Sequence, residues 1–228
     1  MVKRSKRYNK ALELVQDKAL ALADAVNALQ SMPKAGFDET VELAFRLNVD
    51  PKQSNQMVRG TVRLPNGSGK KVRVVVFTEH ADTAVAAGAD KAGMDDLIKE
   101  IEGGWMDFDV AIATTSAMKE VRKLARVLGP RGLMPKPKSG TVTDDVESAI
   151  KEVKGGRVEY KMDKTANLVV VVGKRSFAND KLLENAKAAL ASVVAGRPEV
   201  IKGKFINSIS ITSTMSPSVK VALSEVAE

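Results

Sequence analysis

The residues best suited to act on a partner are the cations of one stiff loop. Leu128-Gly129-Pro130-Arg131-Gly132-Leu133-Met134-Pro135-Lys136-Pro137-Lys138 contains three prolines and two glycines. Proline fixes φ, and glycine supplies conformations that other residues avoid, so the loop is expected to hold one shape. From Arg122 to Lys138 the chain carries Arg122, Lys123, Arg126, Arg131, Lys136 and Lys138 and no acidic residue. Charge runs are commonly just solvated. A rigid, wholly cationic loop instead suits a polyanion or a mobile partner.

Catalytic chemistry finds little to work with. Gly67-Ser68-Gly69-Lys70 looks like the end of a phosphate-binding loop, but Leu64 stands where the first glycine belongs and Lys71 where Ser or Thr belongs. A strand pattern also follows where a helix should. The single histidine, His80, has no evident partner. Asp95-Asp96 and Asp144-Asp145 stand at helix starts, where the helix dipole favours negative charge without any metal. There is no cysteine, so disulfides and thiolate chemistry are excluded. No enzymatic activity, cofactor or metal is expected.

A second set of polar residues points to binding. Thr40, Glu42 and Arg46 alternate with Val41, Leu43, Phe45 and Leu47, which predicts a half-buried strand with a polar outer face. Ser208, Ser210, Thr212 and Thr214 line one side of another strand. Small hydroxyls suit the 2′-hydroxyls and phosphates of folded RNA, which is read by shape and minor-groove contacts. Glu42 repels phosphate. It is either an ordinary exposed strand residue or an acceptor for a base amino group or a 2′-hydroxyl. Only 4% of residues are aromatic, too few for a base-stacking platform.

Composition agrees with an anionic partner. The formal net charge is +8, a statement about partners more than about fold. Residues 67–157 carry 15 basic and 14 acidic side chains, so the excess lies in the flanks. No apolar run of membrane-spanning length is present, and the basic start leads into an amphipathic helical pattern instead of a signal peptide. A cytoplasmic location is expected.

The elements follow from periodicity. Leu12, Val15, Ala19, Leu22, Val26 and Leu29 predict one helix from about Tyr8 to Leu29, stopped by Pro33. The middle alternates short apolar strands (Val72–Phe77, Asp109–Ala113) with helices at Ala81–Ala87, Met94–Ile101, Ser116–Leu128 and Asp144–Val153, with Ser116 as a candidate N-cap. That rhythm implies an α/β layer with a small, mostly parallel sheet. Beyond Arg157 come strand patterns at Val158–Met162, Leu168–Val172 and Lys204–Thr214 and an amphipathic helix at Lys181–Val194. These resemble the first flank more than the middle. The fold class expected is therefore α/β with two domains: residues 1–66 and 158–228 as a split, sandwich-like α+β domain, and residues 67–157 as an inserted Rossmann-like domain.

Six ordered stretches then carry a family likeness: Phe37-Asp38-Glu39-Thr40-Val41-Glu42, Asp50-Pro51, Val58-Arg59-Gly60-Thr61-Val62, Gly104-Trp105-Met106-Asp107-Phe108-Asp109, Leu128 to Pro135, and Thr214-Met215-Ser216-Pro217-Ser218-Val219. Together they closely resemble the bacterial large-subunit ribosomal protein L-one family, the protein of the mobile stalk, from end to end. The resemblance implies a two-domain protein with an inserted Rossmann-like unit. Its first domain would bind a junction in the 23S ribosomal RNA, and the stalk would contact transfer RNA in the exit site. Many members also repress translation of their own operon messenger RNA. A monomer is expected when free.

The family's RNA-contacting motifs fall on Phe37, Thr40 and Glu42, on Asp163, Lys164 and Thr165, and on Thr214, Met215 and Ser216; Ser208 and Ser210 extend this surface. Gly36 stands where many relatives have lysine, and Ser216 where they have glycine. Ser216 either narrows the approach of RNA or contributes a hydroxyl contact. Phe37 packs beneath the strand, touches RNA, or does both. Lys3, Arg4, Lys6 and Arg7 would add salt-sensitive phosphate attraction. Arg122 to Lys138 would make weak, breakable contact with transfer RNA, or contact the other domain. Competing readings are a small Rossmann-type enzyme whose flanks form a lid, and an RNA chaperone held by charge alone.

Overall fold

A computed structural model of the protein describes residues 4–225, with the side chains of Lys138 and Glu225 excepted. The Lys3 and Lys138 side chains named above therefore lie outside the described residues. The chain divides into two compact units, one of residues 1–69 and 158–228 and the other of residues 70–157. It is an α/β protein with several sheets, as its periodicity predicts.

The first flank opens with helix α1 (Lys6–Glu13) and helix α2 (Leu22–Ser31). The single helix expected from Tyr8 to Leu29 is thus broken. Leu20 leaves the helical path because its N–H donates to the Lys220 carbonyl (3.0 Å) and its own carbonyl accepts from Ala222 (2.7 Å). A sheet edge takes the hydrogen bonds that a continuous helix would need, so Leu12 and Ala19 end up exposed. Pro33 forces Met32 into an extended conformation and closes α2 as expected. Strand β1 (Thr40–Leu47) buries Val41, Leu43, Phe45 and Leu47, and strand β2 (Arg59–Arg63) follows.

The second unit contains strands β3 (Val74–Phe77), β4 (Lys91–Gly93) and β5 (Val110–Ala113) in the order β4-β3-β5, all parallel. Helices α3 (Ala81–Ala86), α4 (Asp95–Glu102), α5 (Met118–Val121), α6 (Ala125–Leu128) and α7 (Val146–Lys154) cover them. The helix expected over Ser116–Leu128 is two short helices joined by a 3-10 turn at Arg122–Leu124. Ser116 is not its cap: Ala117 holds that position, and the Thr114 hydroxyl accepts its N–H. Asp145 does cap α7, accepting from the Ser148 N–H at 3.1 Å.

The second flank supplies β6 (Arg157–Lys161), β7 (Asn167–Lys174), α8 (Asn179–Ala195), β8 (Ile206–Ser213) and β9 (Val219–Val221). Strand β6 pairs with β2. The main sheet of this unit is antiparallel, in the order β7-β1-β8-β9. Its central strand comes from the first flank and its neighbours from the second, so neither flank can complete a core alone. Helices α2 and α8 pack on one face. Leu43, Phe45, Leu168, Val170, Ile209 and Ile211 fill the space between the layers. The other face stays open.

Candidate nucleic-acid interface

Strand pairing converts the polar alternation into a grid on the open face. Glu42 lies between Val171 of β7 and Thr212 of β8, and Ala44 between Val169 and Ser210. Arg46 lies between Asn167 and Ser208, and Ser210 pairs onward with Lys220 of β9. Thr40 stands opposite Lys174 at one end of the grid. The surface is polar and cationic, with one apolar lane that includes Val169, 47% exposed. Lys174, Lys220 and Val169 were not among the sequence candidates. Their outward parity was the available signal, and for Lys174 a bulge hides it.

The predicted residues divide by what their polar atoms already do. Glu42, Arg46, Lys164, Ser208 and Ser210 make no side-chain hydrogen bond or ion pair among the described residues, so their groups are free to meet a ligand. Others are engaged. The Thr214 hydroxyl accepts from the Thr40 N–H at 3.1 Å, and the Thr40 hydroxyl accepts from Lys174 Nζ at 2.8 Å. The Ser216 hydroxyl accepts from the Ser213 N–H at 3.0 Å and closes the turn after β8. The Ser216 hydroxyl is thus already engaged within its own turn.

Phe37 and Met215 are 53% and 50% exposed, which removes the reading that Phe37 packs beneath the strand. Each projects from a short segment held by one buried carboxylate, Glu39. Its oxygens accept from the Ala35 N–H (2.7 Å), the Ser213 hydroxyl (2.5 Å) and the Met215 N–H (3.2 Å). Arg175, only 2% exposed, pairs with it at 3.1 Å and donates to the carbonyls of Leu29 and Met32 at the end of α2, where positive charge is favoured. Burial pushes the Glu39 carboxyl up. The hydrogen bonds from Ser213, Ala35 and Met215 and the Arg175 charge outweigh that and hold it below the usual carboxylate range. Sequence reasoning missed both residues, although Glu39 has the inward parity of Val41 and Leu43.

Asp163, Lys164 and Thr165 lie at the opposite end, about 20 Å away along β1 at roughly 3.3 Å per residue. Asp163 turns the chain from β6 into β7. Its carboxylate accepts from the N–H groups of Thr165 (2.7 Å) and Asn167 (2.8 Å) and from the Thr165 hydroxyl (2.8 Å). The Asn167 N–H and Thr165 bonds hold its carboxyl below the usual range. Lys164 is presented at the exposed tip of that turn. Asp163 and Thr165 shape the turn; Lys164 is the available group. Arg7 is also committed, donating to the carbonyls of Met215 (2.9 Å) and Pro33 (3.3 Å).

In the second unit, Arg122, Arg126 and Arg131 are exposed and unpaired among the described residues, whereas Lys123 pairs with Glu120. The stiff loop is anchored. Leu133 and Met134 pack on the core of this unit, Pro135 is buried, and the Lys136 N–H donates to the Thr141 hydroxyl at 2.8 Å. A cleft of about 330 Å³ between α3 and α7 is lined by Thr78, His80, Thr114 and Asp144 among others. Asp144 is occupied by Thr115, and no described group of His, Asp and Glu residues is arranged to hold a metal ion. No described helix is long and apolar enough to cross a membrane.

Comparison with known proteins gives these surfaces a lineage. A sequence profile of the Ribosomal protein L1p/L10e family matches residues 29–217. The large ribosomal subunit protein uL1 of Persephonella marina is 54% identical over 228 residues, covering 97% of this chain and 94% of that protein. The protein of the same name from Kosmotoga olearia is 50% identical over 231 residues, covering 100% of both. That from Saccharopolyspora erythraea is 50% identical over 224 residues, covering 97% and 94%. The chain belongs to the ribosomal protein L1p/L10e family.

Proposed function

We propose that this protein is a structural constituent of the large ribosomal subunit and that its split unit anchors it to a folded junction of the 23S ribosomal RNA. The observation that carries this is the open sheet face: a free acceptor at Glu42, free hydroxyls at Ser208 and Ser210, and unpaired cations at Arg46, Lys164 and Lys220 on one preformed surface. Cations supply salt-dependent attraction to phosphate, and hydroxyls with a lone carboxylate supply the donors and acceptors that read 2′-hydroxyls and base edges. Phe37 and Met215 at the end of the sheet offer apolar surface to a sugar or base. The same surface would serve the operon messenger RNA, whose repression requires a similar junction.

The second unit carries exposed Arg122, Arg126 and Arg131 on a nearly neutral body. Exposed cations on a unit with almost no net charge give contact that forms and breaks readily, as contact with exit-site transfer RNA must. The deciding experiment is a salt titration of binding to the junction RNA and to an unrelated hairpin of equal length. Specific recognition keeps its preference for the junction as salt rises, while a purely ionic binder loses both affinities in parallel. Parallel loss refutes the proposal.

A further inference from the structure

Glu39 has no exposed surface, so it cannot touch a ligand, yet its carboxylate is shared between the two segments that carry Phe37 and Met215. One oxygen accepts from the Ala35 N–H at 2.7 Å and from Arg175 at 3.1 Å. The other accepts from the Ser213 hydroxyl at 2.5 Å and the Met215 N–H at 3.2 Å. Arg7 completes the arrangement by donating to the Met215 carbonyl at 2.9 Å, 3.7 Å from the same carboxylate. The Met215 residue is thus held at its N–H by Glu39 and at its carbonyl by Arg7.

We infer that Glu39 is a positioning residue for RNA recognition: it sets the Phe37 segment and the Met215 turn in their binding arrangement before RNA arrives. The inference rests on the RNA-binding reading proposed above. Burying a carboxylate is costly unless it is paired and hydrogen-bonded. Pairing with Arg175 needs only one oxygen. The second oxygen faces no cation and is spent on the turn after β8. A segment ordered beforehand does not incur its ordering cost on binding, so affinity and discrimination both gain.

The geometry also requires the charged form. All four partners are donors facing the carboxylate. In Glu39→Gln, an amide NH2 replaces one acceptor whichever way it turns. Facing Ala35 and Arg175, it meets two donors. Facing the turn, it leaves the Met215 N–H without an acceptor, even if the Ser213 hydroxyl rotates to accept. One segment is released in either case.

The test uses the full chain as wild type, Glu39→Gln and Ser213→Ala. Binding to the junction RNA and to the unrelated hairpin is measured at one salt concentration, together with hydrogen exchange of the free proteins. Glu39→Gln is expected to weaken junction binding about tenfold or more, from the orphaned donor, with hairpin binding nearly unchanged. Exchange should rise in residues 34–38 and 213–217 while the centres of β1, β7 and β8 stay protected. Ser213→Ala should act in the same direction and less strongly. It removes one donor and keeps the carboxylate, so it decides alone if Glu39→Gln does not fold. Junction binding equal to wild type in a folded variant overturns the positioning role. A wild type without preference for the junction overturns the proposed function, and this inference with it.

Discussion

Replacing Thr214 by Val tests whether hydroxyls at the end of the open sheet serve the ligand or only the fold. The hydroxyl now accepts the Thr40 N–H at 3.1 Å, while the Thr214 N–H separately donates to the Thr40 carbonyl at 3.1 Å. Val keeps the second bond and loses the first, together with the long 3.4 Å bond from the hydroxyl to the same carbonyl. Thr214 is exposed, so water can reach the freed N–H, and the folding loss falls at the low end for a hydrogen bond, about 0.5 kcal/mol. For a chain of this size that is roughly 1–2 °C in Tm. The hydroxyl's proton makes only that long 3.4 Å bond to the Thr40 carbonyl and can turn to RNA, and a second lone pair is free. Losing a contact to a neutral group costs about 0.5–1.5 kcal/mol, and to a phosphate about 1.5–3 kcal/mol. Junction affinity should therefore fall between about twofold and 150-fold. Thermal melting followed by circular dichroism gives the first quantity, and calorimetric titration with junction RNA and the unrelated hairpin gives the second. Thr214→Ser, which keeps the hydroxyl, should behave nearly as wild type in both. If Thr214→Val binds the junction as tightly as wild type, the hydroxyl belongs to the fold alone and Thr214 leaves the site. Equal weakening for both RNAs would mean that the residue carries no discrimination.

Three further outcomes are expected. Joining the flanks after removal of residues 70–157 should leave most junction affinity in place; a folded remnant that loses nearly all of it would move the anchor to the removed unit. Gly173→Ala should destabilise the protein by about 1–3 kcal/mol in urea denaturation, because φ is +154° there and the new Cβ would lie 3.0 Å from Phe177 and 3.1 Å from Leu182. An unchanged midpoint would show that the bulge adapts. Glu39 sets an acid limb: its folded pKa lies below its unfolded one, so its stabilisation is fully present above the ordinary carboxylate range and is lost as pH falls through the lowered folded value. Stability measured from neutral to acid pH should fall less steeply in Glu39→Gln than in wild type; parallel curves would contradict the assignment.

The alternation Val41, Leu43, Phe45, Leu47 determined which side of β1 faces the core, because a strand repeats every two residues and local chemistry sets the phase. The rhythm of short apolar strands and helices through the middle likewise declared an α/β layer, and the likeness of the two flanks declared that they belong together. Phe37 shows where such reasoning stops: its parity matches the core residues, but it lies before the strand begins and is exposed.

Three features were decided only by tertiary contacts. The periodic run from Leu12 to Leu29 satisfies a helix locally, but the backbone of Leu20 finds its partners on β9, a strand about two hundred residues away in sequence, and the helix breaks. Simple alternation along β7 after Leu168, Val170 and Val172 puts Lys174 inward and Arg175 outward. The bulge opposite Val41 and Glu42 shifts the phase, so Lys174 reaches the open face and Arg175 enters the core. Only there can it meet Glu39, whose charge would be prohibitively costly to bury without it. Periodicity is a property of neighbours along the chain. Register, bulges and the pairing of buried charges depend on which strands lie side by side, and that was settled only when both ends of the chain closed around one sheet.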